Sequence, residues 1–146
     1  MRYLSCEDVL VIHARIIDKT GGMHGVRDIN LLASVVERPK MKFDGNDLYP
    51  TIFEKAAVYF ESCARHHAFV DGNKRTAVSI AARFLYLNGY IFVAANSAVE
   101  KFVLNAVVEK FSLESIASWF KKHSKKTYAD YRNQKSGQKI QRHSGR

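Results

Sequence analysis

The sequence predicts an all-α domain that carries one small β-hairpin. Apolar residues recur at helical spacing over most of the chain, only two prolines interrupt it, and one short alternating stretch surrounds an Asp-Gly pair. At 146 residues with 47% hydrophobic content, the chain is long enough to bury a core as one domain. No apolar run approaches the ~20 residues that span a bilayer, so no membrane partner is expected.

The elements follow in order. Ser5 with Asp8 has the form of a capping box, and Val9, Ile12, Ile16 and Ile17 make a helical stripe that ends at Gly21-Gly22. A loop through Gly25 leads to Asp28, an N-cap for a short helix bearing Leu31, Leu32, Val35 and Val36, which Pro39 stops. Residues Lys40 to Tyr49 alternate around Asp44-Gly45, a dipeptide suited to tight hairpin turns, and predict a two-stranded flap. From Thr51 the helical period returns with Ile52, Phe53, Ala56, Ala57, Phe60, Cys63 and Ala64, running out near His66-His67.

A strongly apolar helix begins near Asn73 with Ala77, Ile80, Ala81, Phe84 and Leu87 inward, and Asn88-Gly89 ends it. Its small residues Ala77, Ala81 and Ala82 permit close contact and mark it as the expected central helix. Asn96 or Ser97 is placed to cap a helix carrying Val99, Phe102, Val103, Ala106 and Val107; a last helix carries Leu113, Ile116, Ala117, Trp119 and Phe120. The expectation is six helices and one hairpin over residues 1–124, followed by a basic tail over 125–146.

Charge separates the two parts. The net charge is +9, and between Lys121 and Arg146 there are nine Lys/Arg against one acid, Asp130. A polar, basic end reads as a solvated flexible segment; phosphate contacts to nucleic acid are the weaker alternative. Glu7 and Asp8 turn the N-terminus acidic, unlike a signal peptide. Cys6 and Cys63 are then expected as free thiols in the cytoplasm.

The chemistry concentrates in His67-Ala-Phe69-Val-Asp71-Gly72-Asn73-Lys74-Arg75. Gly72 frees the backbone where a helix begins, and the first amides of that helix lack intrahelical partners. With the positive end of the helix dipole and Lys74 and Arg75 beside them, residues Gly72 to Arg75 form a candidate phosphate cradle. Asp71 is a hard oxygen ligand able to hold Mg²⁺ on those phosphates. His67 accepts a proton near neutral pH, as a base activating a hydroxyl must. Together they equip a site for phosphoryl or nucleotidyl transfer. Phe69 reads as a core anchor for the loop.

Other residues are set aside. Cys63 lies four residues before His67, but it fits the buried stripe better than a Cys–His nucleophile pair. His66, His67 and Asp71 lack the distant fourth ligand of a zinc site. Trp119 and Phe120 fit a core face, and Tyr128 and Tyr131 are too few for a base-stacking patch.

The segment resembles the signature of the Fic/Doc family, His-x-Phe-x-(Asp/Glu)-x-Asn-(Gly/Lys)-Arg, and matches it at six positions in nine. Further likeness lies in Gly21-Gly22 and Gly25-Val26-Arg27-Asp28, Leu31-Leu32, Arg38-Pro39, Lys55-Ala56-Ala57, Phe84-Leu85, Asn88-Gly89-Tyr90 and Trp119, so it covers about residues 4 to 122. Lys74 stands where nucleotidyl-transferring members have a second glycine, and Val78 stands where they have an Arg; both are similar to the death-on-curing (Doc) branch. Gly72 resembles the other spelling as much.

The resemblance implies a six-helix fold and a toxin that transfers the terminal phosphate of ATP, with Mg²⁺, to a hydroxyl on a translation factor of the elongation factor Tu class. It further implies His67, Lys74 and Arg75 as catalytic residues, and a flap (Lys40, Met41, Lys42, Phe43) that docks the target as an added strand. The (Ser/Thr)-x-x-x-Glu-(Gly/Asn) brake of some members has no copy in this sequence, which implies inhibition by a separate antitoxin. Adenylyl transfer to a protein hydroxyl and a non-catalytic, antitoxin-binding co-repressor module are the alternatives.

Overall fold

A computed structural model describes residues 1–127. Among these residues, six α-helices and two small antiparallel strand pairs make up the fold: α1 (Cys6–Thr20), α2 (Ile29–Glu37), a 3-10 turn (Arg38–Lys40), β1 (Lys42–Phe43), β2 (Asn46–Asp47), α3 (Ile52–His66), α4 (Asn73–Leu87), β3 (Tyr90–Phe92), α5 (Asn96–Val108), α6 (Leu113–Lys122) and β4 (Ser124–Lys126). No helix among the described residues is long and apolar enough to cross a membrane.

Local chemistry sets the helix starts. Ser5 Oγ accepts the Asp8 N–H at 3.1 Å while Asp8 returns to the Ser5 N–H at 2.8 Å, completing the box. Asp28 accepts from the Asn30 and Leu31 amides. Thr51 and Glu54 form a second capping box at α3. The cap of α5 departs from expectation: Asn96 is already helical, and Ala95 holds the cap position without a side-chain bond.

The helix at the centre is α3 rather than α4. Every residue from Lys55 to Phe60 is buried, because α2, α4 and α6 all pack on α3. The small residues of α4 do serve close packing, since Ala77 and Ala81 are fully buried and α4 makes its main contact with α3. Aromatic rings close the far side, with Phe60 against Phe102 and Phe120, and Trp119 stacked on Phe102 at 3.9 Å. Arg65 ties this side together by donating to the carbonyls of Ala106 (2.7 Å) and Phe111 (2.8 Å). The N-terminal segment is pinned where the Leu4 N–H donates to Tyr59 Oη at 2.9 Å, and burial pushes the Tyr59 phenol up to about 12.

The expected flap is present, with Lys42 opposite Asp47 and Phe43 opposite Asn46. Asp44 (φ 54°) and Gly45 (φ 82°) both occupy left-handed backbone, as a two-residue hairpin turn requires. Lys55, wholly buried on α3, reaches the Pro39 carbonyl (3.3 Å) and Asp47 Oδ2 (3.4 Å) and so anchors the base of the flap. A second strand pair was not anticipated from the sequence. Tyr90–Phe92 pairs with Ser124–Lys126, so Lys125 and Lys126, assigned above to the tail, add a strand to the domain. Residues 128–146, including Tyr128 and Tyr131, lie outside the described residues.

Phe60→Ala is expected to lower stability by about 3–5 kcal/mol, because the ring fills the contact between α3, α5 and α6. Urea denaturation followed by circular dichroism measures it; a loss under about 1 kcal/mol would show that the site collapses around the missing ring.

Candidate functional site

The loop between α3 and α4 turns on two left-handed residues. His67 (φ 54°, ψ 59°) ends α3, and Gly72 (φ 75°, ψ 17°) precedes α4. A non-glycine residue in this region is strained by about 1–2 kcal/mol, and neighbouring contacts over-determine it. Arg27 donates through Nε to the His67 carbonyl (2.7 Å) and through Nη2 to the His66 carbonyl (3.0 Å), neutralising the last carbonyls of α3. The segment before α2 then pairs with the loop: the Arg27 and Asp28 amides donate to the Ala68 carbonyl, and the Val70 amide donates to Gly25.

Asn73 closes the loop internally. Its Oδ1 accepts the Phe69 N–H at 3.0 Å and its Nδ2 donates to the Phe69 carbonyl at 2.9 Å. The carboxamide is therefore engaged by the loop, and the group that Asn73 offers an anion is its backbone N–H at the start of α4. Phe69, 1% exposed, is the anchor expected of it and stacks on His13 of α1 at 3.8 Å.

Asp71 is half-buried at the mouth. Its Oδ2 accepts the Met23 N–H (3.1 Å) and its Oδ1 the Gly72 N–H (2.8 Å). Those amides, that of Met23 first, hold the carboxyl below its ordinary range, with Arg75 and His13 adding smaller effects. Arg75 turns toward α1, donating to Thr20 Oγ1 and, at 3.5 Å, to the Gly21 carbonyl. Lys74 and His67 are exposed, and neither side chain bonds to a described residue.

His67, Val70 and residues 71–75 line one cleft of about 320 Å³, near the lower end of small-molecule sites. The predicted base, carboxylate and cationic residues thus share a single opening. The flap residues Lys40, Met41, Lys42 and Phe43 do not line it; Met41 and Phe43 are exposed instead on the 40–49 segment.

Asp71 fits a role as ligand to Mg²⁺. Each of its oxygens spends one lone pair on an amide and keeps another, and a carboxylate beside an anion site is repulsive unless a cation bridges them. No group of three or more His, Cys, Asp or Glu side chains able to hold a metal exists among the described residues. Such a site suits an ion that takes one carboxylate and completes its shell with phosphates and water. The thiol of Cys63 is buried, donates to the Asn73 carbonyl at 3.4 Å, and is pushed up to about 12 by burial, which leaves it unionised and part of the core.

The sequence pattern does not single out two residues of this frame. His13 stands four residues from Val9 and from Ile17 on the buried stripe of α1, and a polar residue in that stripe is the signal available for it. Arg27 belongs to the segment that resembles the family, but its clamp on α3 joins residues 40 apart and has no local mark.

Gly22 and Gly21 provide a test of the Asp71 setting. A Cβ at Gly22 would lie 2.7 Å from Asp71 Oδ2, whereas one at Gly21 meets nothing within 4 Å; both have positive φ. Gly22→Ala is expected to raise the Asp71 pKa toward the ordinary carboxylate value, and Gly21→Ala is expected to leave it low. A carboxyl lowered on folding adds stability above its unfolded pKa, and that contribution is lost as pH falls through the folded value. Carbon-13 NMR titration of Asp71 in both variants checks the difference; equal shifts would mean that Gly22 does not set the carboxylate.

Comparison with known proteins places the chain among relatives. Residues 3–85 match the Fic/DOC family. The chain is 44% identical over 99 residues to Toxin Doc of Mycolicibacterium smegmatis (strain ATCC 700084 / mc(2)155), covering 68% of this chain and 73% of that protein. It is 34% identical over 89 residues to Protein kinase doc of Escherichia phage P1, covering 61% of this chain and 70% of that one.

Proposed function

This chain belongs to the Fic/DOC family, and we propose that within it the chain is a Doc-like toxin acting as a Mg-ATP-dependent protein kinase. One observation carries the proposal: Lys74, on the first turn of α4, lines the same cleft as His67 and has no partner of its own among the described residues. The family relative named Protein kinase doc is consistent with it.

In this reaction His67 takes the proton of a target hydroxyl. The hydroxyl oxygen bonds to the terminal phosphorus as the bond to the bridging oxygen breaks, and ADP leaves with that electron pair. Mg²⁺, when held by Asp71, neutralises charge on the phosphates. Lys74 and the amides of α4 stabilise the negative charge that the transferred group carries. Arg75, held against the end of α1, adds a fixed positive charge at the cleft edge.

Gly72 lends no support to adenylyl transfer. Its φ of 75° and a Cβ position 2.9 Å from Ile17 Cδ1 favour glycine here for backbone and packing reasons that involve no nucleotide. The target we favour is a translation factor of the elongation factor Tu class, with a separate antitoxin as inhibitor.

The flap is suited to docking the target. Register and the Leu48 N–H bond to the Met41 carbonyl make Lys42/Asp47 the pair whose backbone groups point away from the partner strand. Lys42 then offers its N–H to an added strand. Met41 N–H is already used on the Arg38 carbonyl, and Met41 (φ −64°, ψ 144°) has a conformation that a following proline accepts.

Four outcomes test the proposal. Purified protein with Mg²⁺ and labelled ATP is expected to transfer label to a protein in bacterial lysate from the γ position and not from the α position; α-transfer would establish adenylylation, and no transfer would leave the co-repressor alternative. His67→Ala is expected to reduce the rate by about 10²–10⁴-fold with unchanged circular dichroism, and Lys74→Gly by about 10²–10³-fold. Lys42→Pro is expected to impair target modification while nucleotide affinity, measured by calorimetry, stays at the wild-type value; parallel loss of both would refute strand addition.

A further inference from the structure

Five polar or charged residues are buried among those described: His13, Lys55, Ser62, Asn73 and Thr76. Lys55 holds the flap, Ser62 receives Arg38, and Asn73 closes the site loop. His13 alone reaches the site from a different helix. It is 3% exposed, its ring lies within 5° of parallel to Phe69 at 3.8 Å, and its Nε2 is 2.7 Å from the backbone oxygen of Asp71. A carbonyl oxygen only accepts, so Nε2 carries a proton and donates it. The loop sits directly on the ring, since a Cβ at Gly72 would lie 3.7 Å from the same nitrogen.

We propose that His13 is a positioning residue for Asp71. Its Nε2–H fixes the peptide from which the carboxylate projects, and the Met23 and Gly72 amides fix the carboxylate itself. Asp71 is thereby held from both ends, by His13 of α1 at its carbonyl and by the Met23 and Gly72 amides at its carboxylate. The role rests on the assignment of Asp71 to a Mg-bound nucleotide made above. Partners that orient a ligating group in this way change metal affinity by about 10–100-fold when removed. A merely structural histidine would change melting temperature without changing how the carboxylate is held.

Two variants separate the donor from the ring. His13→Phe keeps the stack on Phe69 and removes the donor. His13→Gln places an amide nitrogen the same number of bonds from Cα as Nε2 and loses the ring. The first readout is the amide proton shifts of Met23 and Gly72, which report their bonds to the carboxylate without any ligand. The second is calorimetric affinity for Mg²⁺ with the β,γ-imido analogue of ATP.

His13→Phe is expected to shift both amides upfield and weaken Mg-analogue binding by about tenfold or more, and His13→Gln to restore both toward wild type. Unchanged amides in His13→Phe, or equal loss in both variants, would overturn the role. Where the Phe variant does not fold, His13→Gln decides alone, by keeping or losing the two amide shifts. If wild-type protein binds no Mg-analogue, the nucleotide assignment fails, and the amide shifts still decide whether His13 holds Asp71.

Discussion

Everything the cleft presents depends on how residues 67–73 are held, and the Asn73 carboxamide sets that by taking both the N–H and the carbonyl of Phe69. A loop this short between two packed helices would otherwise leave buried backbone groups unsatisfied, at about 1–3 kcal/mol each. Asparagine carries a donor and an acceptor on one short planar group, which suits it to close such a ring. Once it is closed, Phe69 points into the core, Gly72 lies against α1, and Asp71 is left at the mouth. The first helical residue of α4 thus builds the turn that precedes it and frees the amides that follow.

The loop is also braced from outside, by a segment 39 to 48 residues earlier in the chain. Arg27 holds the end of α3, the Ala68 carbonyl receives two amides of the same segment, and Met23 binds Asp71. These contacts place a cation where α3 ends in carbonyls and an acid beside amides, so each charge sits at the pole of opposite sign. Arg75 joins the frame through Thr20, and among the cations lining the cleft Lys74 alone remains without a bond to a described residue. A fixed guanidinium and a free ammonium thus stand side by side: Arg75 is tied to the end of α1, and Lys74 has no partner among the described residues.

What was legible in the sequence is what local chemistry decides. Ser5 with Asp8, Asp28, Pro39 and Asp44-Gly45 each act within a few residues, and each does so in the structure. Six helices followed from apolar periodicity. Centrality did not, because alanines in α4 signal close approach without saying which partner is enclosed. It is α3, with Lys55 buried among apolar neighbours, that three helices surround. The strand pair Tyr90–Phe92 with Ser124–Lys126 joins segments separated by two helices, and three lysine-rich residues carry no strand signature of their own.

The site was legible in the same uneven way. The motif placed His67, Asp71 and residues 72–75 at one cleft, because they are neighbours in sequence and a helix start orders them. Asn73 and Gly72, expected in the phosphate cradle, both line the cleft and also shape it: the Asn73 carboxamide binds Phe69, and the bare Cα of Gly72 lies against Ile17. Residues that look like ligand contacts in a motif thus include some that shape it. Lys74 differs in kind, since it is exposed on the first turn of α4 and no packing constraint of the described residues requires a lysine there. A position free of structural demand at the mouth of a constrained loop is where chemistry can vary between relatives while the frame stays the same.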